Sequence, residues 1–208
     1  MKFNSILLDL DGTLVDSAPD LAFALNQTLL KNNKTQKNFI DIRKLVSKGG
    51  KELIKFGFEI DELEPNFKIY HQQLLNIYKE NIAKYSTLFI DIDFLNGFEK
   101  WGIVTNKPTE LTHILLDKFN LKPDIVVCGD SLANNKPHPE PVLFALQKMI
   151  GATVFVGDDI VDIQAGKSAG LKTIAVNYGY GIPNKNWDYD FLVDSPKDLY
   201  QFGKIQTS

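Results

Sequence analysis

Two hydrophobic rhythms divide the chain. Residues 3–9 form a short apolar run containing Ile6, Leu7 and Leu8, closed by the turn residue Gly12, and predict a buried strand. From Ser17 the rhythm changes. Leu21, Ala24, Leu25, Thr28 and Leu29 recur at i, i+3, i+4, i+7 and i+8, one face of a helix. Ser17 is its expected N-cap, with Pro19 in the first turn and Asp20 closing a capping-box-like pair. The polar stretch from Lys31 to Asn38 ends it. Phe67, Tyr70, Leu74, Ile77 and Tyr78 then repeat at helical spacing after Pro65, and up to about residue 83 nothing has the pattern of a parallel-sheet strand. Residues 16–83 therefore read as an all-helical insertion.

Beyond residue 84, strands alternate with helices. Strand patterns fall at Gly102–Thr105, Ile125–Cys128, Thr153–Val156, Lys172–Val176 and Phe191–Val193. Helical patterns fall at 108–119, 139–150, the stretch after Gly157 to Ala169, and from Pro196 onward; Leu111, Ile114, Leu115 and Phe119 mark one buried face. This alternation predicts an α/β fold with a doubly wound, mostly parallel sheet. The expected core is 1–15 with 84–208, and the expected helical domain is 16–83. No internal repeat or low-complexity tract interrupts the pattern.

Composition narrows the classes. The 208 residues are 44% hydrophobic and 24% charged, ordinary for a soluble globular protein. A net charge of -3 leaves no basic footprint for nucleic acid. No apolar stretch reaches membrane-span length. Asp9 and Asp11 interrupt the first apolar run too early for a signal peptide, so a cytoplasmic protein is expected. Cys128 is the sole cysteine and sits in an apolar run, which predicts a buried core thiol.

The candidate chemistry lies at strand ends, where such sheets collect their ligands. Asp9 and Asp11 stand two apart at the end of the first strand, so both can project to one side. Alone, such a pair is usually a solvated turn. Three further segments follow strands: Val104-Thr105-Asn106-Lys107-Pro108, Lys136-Pro137-His138-Pro139, and Val156-Gly157-Asp158-Asp159 with Asp162. Acidic residues in a first helical turn suit the helix dipole without further purpose. Carboxylates packed around one strand end nevertheless repel each other without a cation, and with Asp9 and Asp11 they make an oxygen-rich site suited to Mg2+.

In order, spacing and placement the four segments resemble the haloacid dehalogenase superfamily of aspartyl-phosphate phosphatases, over essentially the whole chain, and most closely its phosphoglycolate phosphatase-like members. Asp11 to Leu21, Val104 to Pro108, Lys136-Pro137-x-Pro139, Val156 to Asp158, Ala169-Gly170 and Tyr178 to Gly181 carry the resemblance. It implies a Rossmann-like core with a helical cap domain. It also implies Asp9 as nucleophile, and Asp11 as general acid and then base with its main-chain carbonyl on the metal. Thr105 and Lys136 would hold the phosphoryl group, with Asn106 beside them. Asp158 would ligate Mg2+, with Asp159 and Asp162 as further or partial ligands. Lys48, Gly49, Gly50 and Lys51, with Arg43 behind them, are the expected substrate-facing part of the cap.

The implied reaction is hydrolysis of a small phosphorylated metabolite, 2-phosphoglycolate first, by a monomer or homodimer. Alternatives are a phosphatase for sugar phosphates or nucleoside monophosphates, a sugar-phosphate phosphomutase on the same scaffold, or a binding protein with a relic site. Dehalogenation is disfavoured because that chemistry does without the second Asp supplied here by Asp11. Two departures from the family pattern stand out. The stretch Ile90 to Lys100 is short by about one helical turn, or ~4 residues. Asp159 replaces a small hydroxyl residue common among relatives.

Overall fold

The computed structural model describes residues 1–203. In chain order the elements are β1 (Ser5–Leu8), β2 (Val15–Asp16), α1 (Ala18–Lys31), α2 (Phe39–Arg43), α3 (Gly50–Phe58), α4 (Phe67–Asn81), β3 (Thr87–Leu88), α5 (Ile92–Leu95), β4 (Lys100–Val104), α6 (Thr109–Lys118), β5 (Ile125–Val127), α7 (Glu140–Leu146), β6 (Thr153–Gly157), α8 (Ile160–Ser168), β7 (Lys172–Val176) and β8 (Phe191–Val193). Short 3-10 turns lie at Val46–Lys48, Lys185–Trp187 and Pro196–Gln201. The last of these replaces the α-helix expected from Pro196.

Two compact units result: Met1–Asp16 with the described chain from Leu88 onward, and Ser17–Thr87. In the first, the described strands form a six-stranded sheet in the order β5-β4-β1-β6-β7-β8. Every pairing is parallel. The chain fills one side of β1 with β4 and β5, then crosses to build β6, β7 and β8 on the other. The order therefore reverses at β1, and the carboxyl ends of β4, β1 and β6 flank that switch point, where open α/β sheets bind ligands.

Burial explains why these strands read as continuous apolar runs. Each strand buried on both faces has no polar alternation to show. All four residues of β1 and all five of β6 are buried. Leu7, Val104, Val127 and Phe155 pack with Val142 and Ala145 of α7 and Ala165 of α8. Cys128 is a free, buried thiol. The short stretch after β3 is accommodated by the single turn α5, whose Phe94 packs edge-on against Phe98.

In the second unit, α1 buries Leu21, Ala24, Leu25, Thr28 and Leu29, the face read from the sequence. Phe67, Leu74 and Tyr78 are the fully buried positions of α4. Gly57 of α3 lies so close to Leu25 that a Cβ there would meet its side chain at 2.8 Å. The start of α1 differs from expectation. Ser17 makes no side-chain capping bond, and Asp20 is fully buried with its carboxylate accepting from Tyr85 N at 2.7 Å and from Ser86 Oγ. A buried carboxylate needs such donors, so Asp20 anchors the returning chain instead of completing a capping box.

Candidate active site

The turn after β1 sets Asp9 at the strand end. Asp9 N donates to Val156 O at 2.9 Å, continuing the β1–β6 ladder by one residue. Leu14 N and Val15 N both donate to Leu10 O, folding the following residues back. Gly12 makes this turn with φ +93, and a Cβ on it would overlap the Asp158 carboxylate. Glycine is required twice over, by conformation and by space.

Lys136 reaches this point from the loop before α7. Its Nζ donates to Asp9 Oδ1 at 2.6 Å and to Val104 O at 2.6 Å. It also lies 2.6 Å from Asp162 Oδ1. That last contact is an ion pair by distance but not by direction, since Asp162 Oδ1 is a buried atom that accepts no directed hydrogen bond. Burial disfavours the ammonium, yet Asp162 and Asp9 outweigh it and hold Lys136 charged above its ordinary range.

Asp9, Asp158 and Asp162 are all buried, with one oxygen of each within 4.8 Å of the others. Desolvation pushes Asp9 well above the usual carboxylate range, with Lys136 opposing and Asp162 and Asp158 adding to the rise. Asp162 is raised for the same leading reason. Asp158 is pushed up to about 7 by burial and by Asp162, against the pull of Tyr180 N and Thr13. Three carboxylates face one ammonium, so two negative charges remain uncompensated when all are ionised. The hard oxygen donors, the residual charge and the orphaned Asp162 oxygen all suit a small divalent cation.

Asp158 is held with particular care. Thr13 Oγ1 donates to its Oδ1 at 3.1 Å, and Tyr180 N to its Oδ2 at 2.8 Å. A Cβ on Gly179 or Gly181 would overlap Asp158 itself. Tyr178 Oη donates to Thr13 O at 3.1 Å and Tyr180 Oη to Asp16 Oδ1 at 3.0 Å, binding the loop after β7 to the segment after β1.

Other predicted residues take different stations. The Asp11 carboxylate lies outside the three-carboxylate cluster and is paired with Lys107 Nζ at 3.0 Å. Thr105 is buried, its Oγ1 accepting from Lys107 N at 3.2 Å. Asn106 is exposed, and its amide pairs with the backbone of Lys136: Nδ2 donates to Lys136 O at 2.9 Å and Oδ1 accepts from Lys136 N at 3.1 Å. Its side chain fixes the lysine loop. Asp159 Oδ1 caps α8 by accepting from Val161 N, while Asp162 Oδ2 accepts from Asp159 N. The helix cap therefore uses Asp159, and Asp162 is the member of that pair within the carboxylate cluster.

In the second unit Lys48 is exposed and Lys51 pairs with Glu62 at 3.1 Å. Gly49, with φ +85, precedes α3, and Gly50 begins it. Arg43 ends α2. Lys107, Thr13, Tyr178 and Tyr180 lie in segments that carry the family resemblance, but the sequence alone assigns them no role. Lys107 and Thr13 stand inside segments singled out for their neighbours, and the two tyrosines alternate with Gly179 and Gly181, an alternation that was the available signal.

Comparison with known proteins accords with this geometry. Residues 6–176 match the family model described as haloacid dehalogenase-like hydrolase. The N-acetylmuramic acid 6-phosphate phosphatase of Pseudomonas putida is 32% identical over 96% of this chain and 95% of its own length. The phosphoglycolate phosphatase of Xanthomonas campestris pv. campestris is 33% identical, covering 97% of both. The crystal structure of a predicted phosphoglycolate phosphatase from Haemophilus somnus superposes with a TM-score of 0.84 at 30% identity, covering 97% of this chain and 98% of that one. The six-stranded parallel sheet, the acidic site at its switch point and these matches together make this chain a member of the haloacid dehalogenase-like hydrolase family.

Proposed function

We propose that this protein is a Mg2+-dependent phosphatase for small acidic phosphomonoesters, working through an aspartyl-phosphate on Asp9. The buried cluster of Asp9, Asp158 and Asp162 around Lys136 is the observation that carries this reading. Asp9 attacks phosphorus as the ester P–O bond breaks, and Asp11 gives its proton to the departing oxygen. Water then attacks the phosphorylated Asp9, losing its proton to Asp11, and phosphate and the free carboxylate are regenerated. Lys136, with Thr105, balances charge on the transferring phosphoryl group. Asp9, Asp158 and Asp162, with the Asp11 main-chain carbonyl, would hold the cation, which supplies charge neutralisation for an incoming dianion.

The inserted unit, Ser17–Thr87, acts in this reading as a cap that selects the substrate. Two relatives of nearly equal identity are named for phosphoglycolate and for N-acetylmuramic acid 6-phosphate. Both compounds carry a carboxylate as well as a phosphomonoester. Lys48, beside Gly49 and Gly50, is the exposed cation we assign to that second anionic group, with Lys51 and Arg43 contributing to the local field. Phosphate release measured over phosphoglycolate, N-acetylmuramic acid 6-phosphate, neutral sugar phosphates and nucleoside monophosphates tests the reading. Carboxylated substrates should lead the panel, and activity should vanish in excess chelator. A preference for neutral sugar phosphates, or full activity without a divalent cation, would overturn it.

A further inference from the structure

We propose that Lys107 is the residue that positions Asp11 for proton transfer. The proposal rests on the acid–base role given above to Asp11 and adds what holds that carboxylate in place. Lys107 Nζ contacts both oxygens of Asp11, at 3.1 Å and 3.0 Å. The lysine side chain is 7% exposed and the aspartate side chain 18%, so the pair is mostly out of water. A two-point contact at that depth fixes the plane of the carboxylate as well as its position.

The lysine is itself held firmly. Its backbone N donates to Thr105 Oγ1 at 3.2 Å, and its carbonyl accepts from Gly129 N at 2.9 Å. Loops following β4 and β5 thus set its origin, and Pro108 restricts the backbone immediately after it. Lys107 and Asp11 lie 96 residues apart in sequence, yet both leave the carboxyl ends of adjacent strands. Asp9 has its own ammonium in Lys136. The site therefore contains two lysines with separate tasks: one on the nucleophile, one on the proton carrier.

The consequence is a dependence on the leaving group. An alkyl phosphate cannot release its alkoxide without a proton from Asp11. p-Nitrophenyl phosphate releases a stable phenolate and needs no such proton. Since kcat/KM reports the steps up to departure of the leaving group, losing the Asp11 orientation must weigh on alkyl substrates alone in that parameter. Departure of phosphate from Asp9 needs Asp11 as base with either substrate.

The test compares Lys107→Met with wild type on 2-phosphoglycolate and p-nitrophenyl phosphate at saturating Mg2+. The expected loss in kcat/KM is roughly 10- to 100-fold for phosphoglycolate, a part of the roughly 100- to 10,000-fold that general acid catalysis is worth, and less than about 3-fold for the aryl ester. Rapid mixing of the variant with p-nitrophenyl phosphate should give a burst of about one nitrophenolate per site, because hydrolysis of phosphorylated Asp9 becomes the slow step. Lys107→Arg, which keeps paired donors, should restore the phosphoglycolate rate. Equal losses on both substrates, or no loss, would overturn the proposal and return Lys107 to a scaffold role. Asp11→Asn separates the two levels of the account. If it lacks the leaving-group split, the acid–base assignment fails. If it shows the split and Lys107→Met does not, only the role of Lys107 fails. Should Lys107→Met not fold, Lys107→Gln against Lys107→Arg carries the same comparison, with the split expected in the former alone.

Discussion

Lys136 and Asp9, 127 residues apart in sequence, meet in the buried interior with Nζ 2.6 Å from Oδ1. The contact joins the loop before α7 to the end of β1 and places the ammonium between two carboxylates, since Asp162 lies at the same distance. Removing one member of a buried ionic group leaves the others uncompensated. Lys136→Met should therefore abolish phosphate release from every substrate and destabilise the fold by roughly 3–5 kcal/mol near neutral pH. Lower pH should lessen the deficit, because protonation then neutralises Asp9 and Asp162. Urea unfolding of wild type and variant at pH 5 and pH 8 measures both terms.

The carboxylate cluster predicts how cation and pH act together. Burial and the neighbouring Asp162 push Asp158 up to about 7 from an ordinary 3.8 in the cation-free fold, and Asp9 and Asp162 are raised in the same direction. A group raised on folding contributes its stability below its unfolded pKa and loses it as pH climbs through the folded one. The cation-free protein should thus lose stability from about pH 4 to beyond pH 7. Mg2+ should raise Tm little at pH 5 and clearly at pH 8. A Tm increment independent of pH would contradict the assignment of these carboxylates to the cation.

Asn106 provides a test of positioning through the lysine loop. Its amide pairs reciprocally with the backbone of Lys136. Asn106→Ala should lower kcat/KM alike for phosphoglycolate and aryl phosphate, and cost about 1–3 kcal/mol in stability through the unmet backbone groups. Asn106→Asp should be little better, having lost the donor to Lys136 O. Selective loss on one substrate would instead mark direct substrate recognition.

Much of this was legible in the sequence because its signals were local. Ile6-Leu7-Leu8 reads as a strand since both faces of β1 are buried, and the i, i+3, i+4 face of α1 is the face that packs. Asp9, Asp158 and Lys136 were identifiable from strand ends and their resemblance to a family. What escaped was pairing over distance. Nothing near Asn106 signals that its amide pairs with the backbone of Lys136, and nothing near Asp20 signals Tyr85 and Ser86. Asp159 and Asp162 have the same composition and differ only in where the first turn of α8 aims them. The terminal turn at Pro196–Gln201 carries helical starting chemistry, including a Ser195–Asp198 capping box, but stays 3-10.

Selectivity provides a separate prediction in the inserted unit. Lys48→Ala should reduce kcat/KM for phosphoglycolate by the equivalent of roughly 1–3 kcal/mol, the range of a charge-assisted contact. Turnover of p-nitrophenyl phosphate should change much less. Lys51→Ala should have the smaller effect of the two, because its ammonium is already paired with Glu62. Equal losses on both substrates would argue against a selecting role for this loop.

Passage of the phosphoryl group through Asp9 can be read directly from the trapped enzyme. Asp11→Asn, mixed with p-nitrophenyl phosphate and Mg2+, should accumulate the phosphorylated enzyme, because hydrolysis lacks its base while the aryl leaving group needs no proton. Borohydride reduces an aspartyl-phosphate to homoserine, and peptide mass spectrometry then reads the position. The account predicts homoserine at position 9 and at no other aspartate, and no phosphate release from Asp9→Asn. Homoserine elsewhere, or undiminished phosphate release by Asp9→Asn, would contradict it.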